Sequence, residues 1–149
     1  MEKLREGGFL ISKIKQISGR IFDKKLKEYE ITDLNTAQGR IVFSLWKNDN
    51  VPITELARKT ALGKTTLTSM LTRLEQSGYI VRKVDVNDRR KTLVALSEKI
   101  KAIEDGHAAV SKEMTRLFYE GLYEEQIDEF EDVLRQILSN LIRYEEEHQ

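Results

Sequence analysis

The sequence contains no cysteine, a single proline (Pro52) and few aromatic residues among its 149 positions. Without cysteine, the chain cannot form a disulfide, a thiol-based redox switch or a thiolate metal site. His107 and His148 are too few and too far apart in sequence to indicate metal ligation. Apolar runs long enough to span a membrane are also absent, and the first 30 residues have a charged, helical pattern unlike that of a signal peptide. We therefore expect a cytoplasmic protein without a membrane partner, a metal or another cofactor.

Catalytic signatures are missing as well. The sequence shows no nucleophile paired with a base, no paired carboxylates and no cluster of metal ligands, so an enzyme is not expected. The chain does have 40% hydrophobic and 34% charged residues, which is enough for a core with long solvated helix faces. This composition predicts a helix-rich protein of one compact unit or two small lobes.

The charges are unevenly distributed, although the formal net charge is zero. Between Arg58 and Lys91, nine residues are basic and three are acidic, whereas from Glu120 to Gln149 two are basic and ten are acidic. Such a division indicates one surface that faces a polyanion and another that is kept away from it. The alternative is that each run is only the solvated face of a helix.

Apolar spacing and capping residues predict six helices. Thr32, Asp33 and Asn35 offer capping oxygens before the second of them, and Thr54 does so for the third. Gly78 suits a left-handed cap after the fourth. The predicted ranges are Phe9–Tyr29, Thr36–Trp46, Thr54–Thr60, Thr65–Gln76, Ser97–Tyr119 and Glu124–Tyr144.

A β-hairpin is predicted between the fourth and fifth helices. The two β-rich runs YIVRKVDV and KTLVALS flank the segment NDRR, which gives the hairpin a charged tip. Helix, short helix, turn, helix and hairpin follow one another in the middle of the chain. This order predicts a winged helix-turn-helix.

The GKTT motif at residues 63–66 has two interpretations. It is similar to the end of a nucleotide-binding phosphate loop, but such a loop needs a glycine five positions before the Gly-Lys pair and a preceding buried strand. Arg58 occupies that position, and the preceding ELARKTA is helical in pattern. We therefore interpret GKTT as the start of a DNA-contacting helix, whose first-turn amides and Lys64 would bind a backbone phosphate.

The helix that begins at GKTT is predicted to have a DNA-reading face. At about 100° per residue, one side carries an apolar stripe and the other carries short hydroxyls beside a guanidinium. Serine and threonine can contact phosphates and base edges, and arginine can form a bidentate contact with guanine. The stripe consists of Leu67, Met70, Leu71 and Leu74, and the candidate DNA contacts are Lys64, Thr65, Thr66, Thr68, Ser69, Thr72 and Arg73.

The hairpin tip is the second candidate DNA contact. Asn87 and Asp88 favour a turn, after which Arg89, Arg90 and Lys91 concentrate positive charge beyond the strands. Arginine suits a narrow minor groove, where the negative potential is enhanced. We expect Asp88 to accept a charge-assisted hydrogen bond from one of the arginines and so fix its direction. The alternative is a tip that only stays solvated.

Together these motifs resemble the multiple-antibiotic-resistance regulator (MarR) family of bacterial and archaeal transcription factors, and the likeness spans nearly the whole chain. ITELARKTALGKTTLTSMLTRLEQSGYIVR is similar to the family's helix-turn-helix and first wing strand. DVNDRRKTLVALS is similar to its Asp-x-x-Asp-x-Arg wing signature, with the second aspartate at Asp88 and the arginine at Arg90. One departure is Ile100, which stands where the family commonly has the glycine of a Thr-x-x-Gly pattern.

The resemblance implies a mainly α fold with a small β-hairpin wing. It implies a winged helix-turn-helix DNA-binding domain at residues 32–97 and a helical dimerisation region formed by residues 1–31 and 98–149. In the implied homodimer, the recognition helices enter successive major grooves of double-stranded DNA and the wings enter the flanking minor grooves. Two-fold symmetry then predicts a pseudo-palindromic operator with half-sites about one helical turn apart. We expect a repressor that occludes its operator, with activation as the alternative.

The resemblance also implies that a small aromatic or anionic effector releases the DNA. A pocket for it would draw on Phe9, Ile17, Arg20, Phe43 and Trp46. The alternative is that these residues only pack in the core. For the whole chain, the alternative function is a helical protein–protein interaction module whose basic hairpin binds an acidic protein.

Overall fold

The computed structural model describes residues 2–149. Its elements in chain order are α1 (Gly7–Glu28), α2 (Thr36–Lys47), β1 (Val51–Pro52), α3 (Ile53–Thr60), α4 (Lys64–Gln76), β2 (Ile80–Val84), β3 (Thr92–Leu96), a 3-10 turn (Glu98–Ile100), α5 (Lys101–Phe118) and α6 (Glu124–Glu147). Each predicted helix overlaps an observed helix over most of its length. The prediction of a mainly α fold with a β-hairpin is therefore confirmed.

The chain divides into two compact units. The first ends at Lys112, and the second comprises Glu113–Gln149. The first unit contains the sheet, α1 to α4 and most of α5, whereas the second contains the end of α5 and α6. Among the described residues, no helix combines the length and the apolar character needed to cross a lipid bilayer.

The core of the first unit contains most of the predicted apolar stripe of α4. Leu67, Leu71 and Leu74 are fully buried, whereas Met70 is half-buried. Each fully buried leucine contributes roughly 2 kcal/mol to stability, so the stripe decides which side of α4 faces water. Apolar residues of the surrounding elements complete this core, namely Leu26, Ile41, Val42, Leu45, Leu56, Ile80 and Val94.

The start of α2 confirms one capping prediction, and the start of α3 contradicts another. Asn35 forms a capping box with Gln38: its side chain accepts from the Gln38 amide at 2.9 Å, and Gln38 Oε1 accepts from the Asn35 amide at 3.0 Å. The capping role predicted for Thr54 is wrong, because α3 already begins at Ile53. The residue before α3 is Pro52, whose extended backbone leads directly into the helix.

The sheet is larger than the predicted hairpin. Within residues 2–149, three strands form one antiparallel sheet in the order β1-β3-β2. The register places Arg82 of β2 opposite Val94 of β3, and Val51 of β1 opposite Val94 on its other side. The two residues of β1 are too few to show the alternation of apolar and polar residues that predicts a strand, so β1 was not predicted from the sequence. Pro52 is tolerated in β1 because that strand lies at the sheet edge.

A short 3-10 turn separates the wing from α5. It spans Glu98–Ile100, and α5 follows at Lys101 rather than at the predicted Ser97. Ile100 is buried, so the residue that replaces the family's glycine anchors this turn in the core.

The second unit presents apolar residues that the structure leaves exposed. A turn at Gly121, with φ of +85°, leads into α6, and the Tyr119 hydroxyl donates to Glu131 of α6 at 2.8 Å. Phe118 and Phe130 lie with ring centroids 6.5 Å apart. The exposed apolar residues on the C-terminal half of α6 are Val133, Ile137, Leu138, Leu141, Ile142 and Tyr144.

His107 of α5 is a buried polar residue in the first unit. Its ring makes edge contacts with Phe22 of α1 and Trp46 of α2, with ring centroids 5.6 and 4.8 Å away. Gly39 of α2 lies so close that an added Cβ would stand 3.3 Å from His107 Nε2. Among residues 2–149, Nε2 has no hydrogen-bond partner. Burial lowers the pKa of His107 below its ordinary value of 6.5, so the neutral ring is favoured in the fold.

We predict that His107 makes the protein less stable in mild acid. Because its folded pKa is depressed, the stability that its neutral ring provides is complete above the ordinary pKa of 6.5 and is lost as pH falls below it. The variant His107→Gln cannot titrate there and should show a shallower loss between pH 7 and pH 5 in urea unfolding. His148→Gln, which removes the other histidine at an exposed position, is the control. Equal slopes for His107→Gln and the parent would contradict this account.

Candidate nucleic-acid interface

The predicted contact residues of α4 lie on the side of the helix that faces water. Ser69 and Arg73 are exposed, and Thr72 is half-exposed. This orientation follows from the buried leucines, because a residue two positions from Leu67 points roughly 200° away from it around the helix. The other candidate residues, Lys64, Thr65, Thr66 and Thr68, are exposed too.

Two of the threonine hydroxyls are already engaged within α4. Thr68 Oγ1 donates to the Lys64 carbonyl at 2.8 Å, and Thr72 Oγ1 donates to the Thr68 carbonyl at 3.0 Å. Each hydroxyl keeps acceptor lone pairs and each side chain keeps its methyl group. These threonines can therefore accept hydrogen bonds from cytosine or adenine amino groups and can touch thymine methyls.

The start of α4 has the features of a phosphate site on DNA. Gly63 precedes the helix with extended backbone and offers no side chain to cap it, so the first-turn amides stay available to an anion. Lys64 is the first residue of α4. Arg58 lies in α3, so a helix precedes Gly63 where a nucleotide-binding loop would need a strand. The phosphate-loop interpretation is thereby excluded.

The tip of the hairpin is organised by Asp88, as predicted. Its carboxylate accepts from the Arg90 backbone amide at 3.1 Å and from Arg90 Nε at 3.2 Å, and these bonds lower the pKa of Asp88. Asp85 accepts from the Asn87 amide at 2.8 Å and closes the preceding turn. The Arg90 side chain remains 91% exposed, so a directed guanidinium projects into solvent. Arg89 and Lys91 are exposed beside it.

An ion pair joins α4 to the wing and was not predicted from the sequence. Arg82 of β2 donates from Nε to Glu75 Oε2 at 3.2 Å and from a terminal nitrogen to Oε1 at 2.9 Å. The hydrogen bond lowers the pKa of Glu75 and raises that of Arg82. Arg82 thus belongs to the basic segment of the sequence, yet its charge is already paired.

Lys99 is a second contact that sequence analysis missed. Its ammonium donates to the Ser77 carbonyl at the end of α4, pairs with Asp33 at 3.7 Å and lies 4.7 Å from the centre of the Tyr79 ring. The Tyr79 hydroxyl donates to Asp33, and burial together with this bond raises the pKa of Tyr79. A cation suits the negative end of a helix dipole. Gly78, with φ of +84°, makes the turn that brings these residues together and confirms the predicted left-handed cap.

The residues predicted for an effector pocket are placed in different surroundings. Phe9, Ile17 and Arg20 are exposed on α1. Phe43 is exposed on α2, while Trp46 is half-buried against the His107 ring. A cavity of about 350 Å³ lies beside the end of α1 and has other lining residues, namely Asp23, Lys27, Ile31, Thr32, Asp33, Leu34, Asn35 and Gln38.

A helix-turn-helix with an exposed, hydroxyl-rich second helix and an arginine-tipped hairpin defines a winged helix-turn-helix DNA-binding protein. Comparisons with known proteins agree. The MarR family model matches residues 34–92. The transcriptional regulator SarZ of Staphylococcus aureus is 31% identical over 120 residues, which cover 80% of this chain and 77% of SarZ.

Solved structures extend the likeness to the fold. AbfR of Staphylococcus epidermidis is 27% identical with a TM-score of 0.75, and the match covers 93% of this chain and 92% of AbfR. A variant of MarR from E. coli, solved in complex with operator DNA, is 25% identical with a TM-score of 0.78 and coverage of 92% and 99%. The chain belongs to the MarR family of DNA-binding transcriptional regulators, which are not enzymes.

We predict that Asp88→Asn weakens DNA binding even though it removes a negative charge. Charge counting alone predicts tighter binding to a polyanion. The structure predicts a decrease of several-fold, because Arg90 loses the carboxylate that directs it. Fluorescence anisotropy with labelled duplex DNA measures the effect. Asp105→Asn, which removes an exposed carboxylate from α5, is the control. Tighter binding by Asp88→Asn would contradict a directing role for Asp88.

Proposed function

We propose that this protein is a sequence-specific repressor that acts in the cytoplasm and binds a pseudo-palindromic operator as a homodimer. The observation that carries the proposal is the joint exposure of Ser69, Arg73 and Arg90, with Arg90 directed by Asp88. An exposed α4 alone would also suit a solvated helix. The directed arginine beside it supports contact with a duplex.

Each part of this interface has a distinct role in the proposal. The α4 face reads base edges in the major groove, with Arg73 as the candidate bidentate contact to guanine. The first-turn amides and Lys64 hold a backbone phosphate. The wing enters the minor groove through Arg90, with Arg89 and Lys91 adding contacts to phosphates. Residues 32–97 act as the reading domain.

We propose that residues 1–31 and 98–149 form the dimerisation region. The apolar residues of α6 are exposed in the single chain, and so are Leu10, Ile14 and Ile17 of α1. Exposed apolar faces of this length mark association surfaces. The segment from Glu120 to Gln149 is strongly acidic, which suits a surface that faces away from DNA. Two-fold pairing would present two reading domains to successive major grooves, and bound dimers would then occlude the promoter.

We further propose that a small aromatic, anionic molecule releases the protein from DNA. Phe9 and Phe43 are exposed rings, each with a lysine ammonium over its face: Lys13 at 5.9 Å and Lys47 at 5.0 Å. An aromatic ring with a carboxylate would be able to stack on such a phenyl group and pair with the ammonium. The ligand must prefer the dimer geometry that mismatches the groove spacing, because equal affinity for both states shifts nothing.

Two arginine variants test the DNA-reading roles. Arg73→Gln should reduce discrimination between the operator and a scrambled duplex by roughly tenfold. Arg90→Gln should weaken binding to both duplexes and lower the slope of log affinity against log salt by about one. Operator fragments selected from genomic DNA provide the probe for a gel shift at two salt concentrations. Arg143→Gln, in the acidic part of α6, is the matched control. If both test variants bind like the parent, the assigned contacts are wrong; if the parent shifts no DNA, the proposed function fails.

A substitution on α6 tests the homodimer. Leu141, which is 64% exposed in the single chain, should be buried between subunits in the dimer. Leu141→Glu would place a charge in that apolar interface, so sedimentation should show the mass of one chain and operator binding should fall at least tenfold. Gln136→Glu adds the same charge to the same helix at an exposed polar position and should remain dimeric. A dimer that tolerates Leu141→Glu would exclude this face as the interface.

A further inference from the structure

The pairing of Glu75 with Arg82 joins the recognition helix to the middle of the wing. Glu75 lies in the last turn of α4, and Arg82 is the central residue of β2. The two nearly parallel hydrogen bonds, at 3.2 and 2.9 Å, form the bidentate geometry that fixes orientation as well as distance. The Arg82 side chain is 27% exposed, whereas the Arg90 side chain, which pairs with Asp88, is 91% exposed.

Glu75 lies at a position where a carboxylate is unfavourable unless a cation such as Arg82 pairs with it. A carboxylate in the last turn of a helix faces the negative end of the helix dipole, which is unfavourable. The Glu75 carboxylate is also on the helix that carries proposed DNA contacts, where a negative charge repels DNA. Both costs are offset when Arg82 holds the carboxylate in a bidentate pair. The same hydrogen bond is the main cause that lowers the pKa of Glu75.

Besides the pairing of β1 with β3 at Val94 and Leu93, the wing is held to the first unit at its base. There the Ser97 amide donates to the Tyr79 carbonyl at 2.9 Å, and Lys99 holds the end of α4. Within the described residues β2 pairs only with β3, so β2 is an edge strand of the three-stranded sheet. Arg82 lies between the base and the tip, opposite Val94. The Glu75–Arg82 pair gives this edge strand a direct side-chain contact with α4.

We propose that Glu75 and Arg82 are positioning residues that set the angle between α4 and the wing, so that Arg90 reaches the minor groove when α4 occupies the major groove. Arg82 is then not a phosphate contact, although it belongs to the most basic segment of the chain. This proposal rests on the DNA-binding role proposed above. It adds that recognition by the helix and by the wing is coupled through one ion pair.

The competing role for Arg82 is that of a phosphate contact that leaves Glu75 when DNA arrives. The two roles predict opposite signs for Glu75→Gln. If Arg82 positions the wing, this variant should bind the operator roughly tenfold more weakly, because the wing loses its fixed angle. If Arg82 contacts phosphate, the variant should bind more tightly and its salt slope should steepen by about one, because a cation is released.

A double-mutant cycle provides the decisive measurement. Arg90→Gln is measured by fluorescence anisotropy in the parent and in the Glu75→Gln background. A positioning role predicts that Arg90→Gln weakens binding markedly in the parent and only slightly in the Glu75→Gln background, because a misplaced wing has less contact to lose. Asp132→Asn breaks the ion pair of similar length between Asp132 and Arg135 in α6, at 2.8 Å, and is the matched control. In that background Arg90→Gln should have its full effect.

Further variants separate positioning from a loss of folding. Arg82→Lys keeps the positive charge but cannot make the bidentate pair, so it should reproduce the loss of coupling to Arg90 at unchanged net charge. The combination of Glu75→Arg with Arg82→Glu restores opposite charges across the gap and should recover part of the coupling. Circular dichroism and urea unfolding are measured for each variant, so that only folded proteins enter the cycle. If Glu75→Gln does not fold, Arg82→Lys carries the test.

The outcomes separate this proposal from the proposed function. A parent protein that binds no operator fragment contradicts the proposed function. A parent that binds, combined with an equal effect of Arg90→Gln in the parent, the Glu75→Gln background and the Asp132→Asn background, overturns the positioning role alone. Tighter binding by Glu75→Gln overturns it as well and assigns Arg82 to phosphate.

Discussion

Three buried leucines on one side of α4 fix how this helix is rotated about its axis, and the proposed DNA-contacting surface depends on that rotation. Leu67, Leu71 and Leu74 are fully buried. A rotation by one residue, about 100°, would bring threonines into the core, where unpaired hydroxyls are costly. Ser69 and Arg73 therefore face water, because the buried leucines occupy the side of α4 that faces the core. Apolar burial sets the orientation, and the polar residues use it.

The basic residues of α4 and the wing differ in how far they are held by neighbouring groups. Arg90 projects into solvent under the direction of Asp88, whereas Arg82 is held by Glu75 and Lys99 by Asp33 and the Ser77 carbonyl. Fixed ion pairs give the helix and the wing a defined geometry. Cations that project into solvent, including Arg90 beside Asp88, supply the attraction to a polyanion. A simple count of basic residues overestimates the number that can bind phosphate.

The two compact units differ in what they leave exposed. The first has an apolar core around buried Leu67 and Val94 and presents hydroxyls and arginines to water on α4 and the wing, but it also leaves Leu10, Ile14 and Ile17 of α1 exposed. The second, Glu113–Gln149, presents apolar residues along α6 between acidic ones. Apolar surface left exposed on one chain is a source of free energy for association, and acidic residues beside it disfavour association with DNA. Exposed apolar residues on both α1 and α6 are the physical basis for the proposed dimerisation region, which takes residues from both compact units.

The sequence by itself determined the features that depend on near neighbours along the chain. Helix periodicity placed the α4 stripe, residue types that cap helices predicted the Asn35 cap and the Gly78 turn, and the sequence NDRR predicted that Asp88 accepts from one of the arginines after it, which the structure shows to be Arg90. Only the tertiary structure decided the contacts between separate elements: Glu75 with Arg82, Lys99 with Asp33, His107 between Phe22 and Trp46, and β1 beside β3. Local patterns follow from the fixed geometry of the backbone, so they can be read from residue spacing. Residues that are distant in sequence come into contact only after the intervening chain has folded, and residue spacing in a single sequence does not predict such contacts.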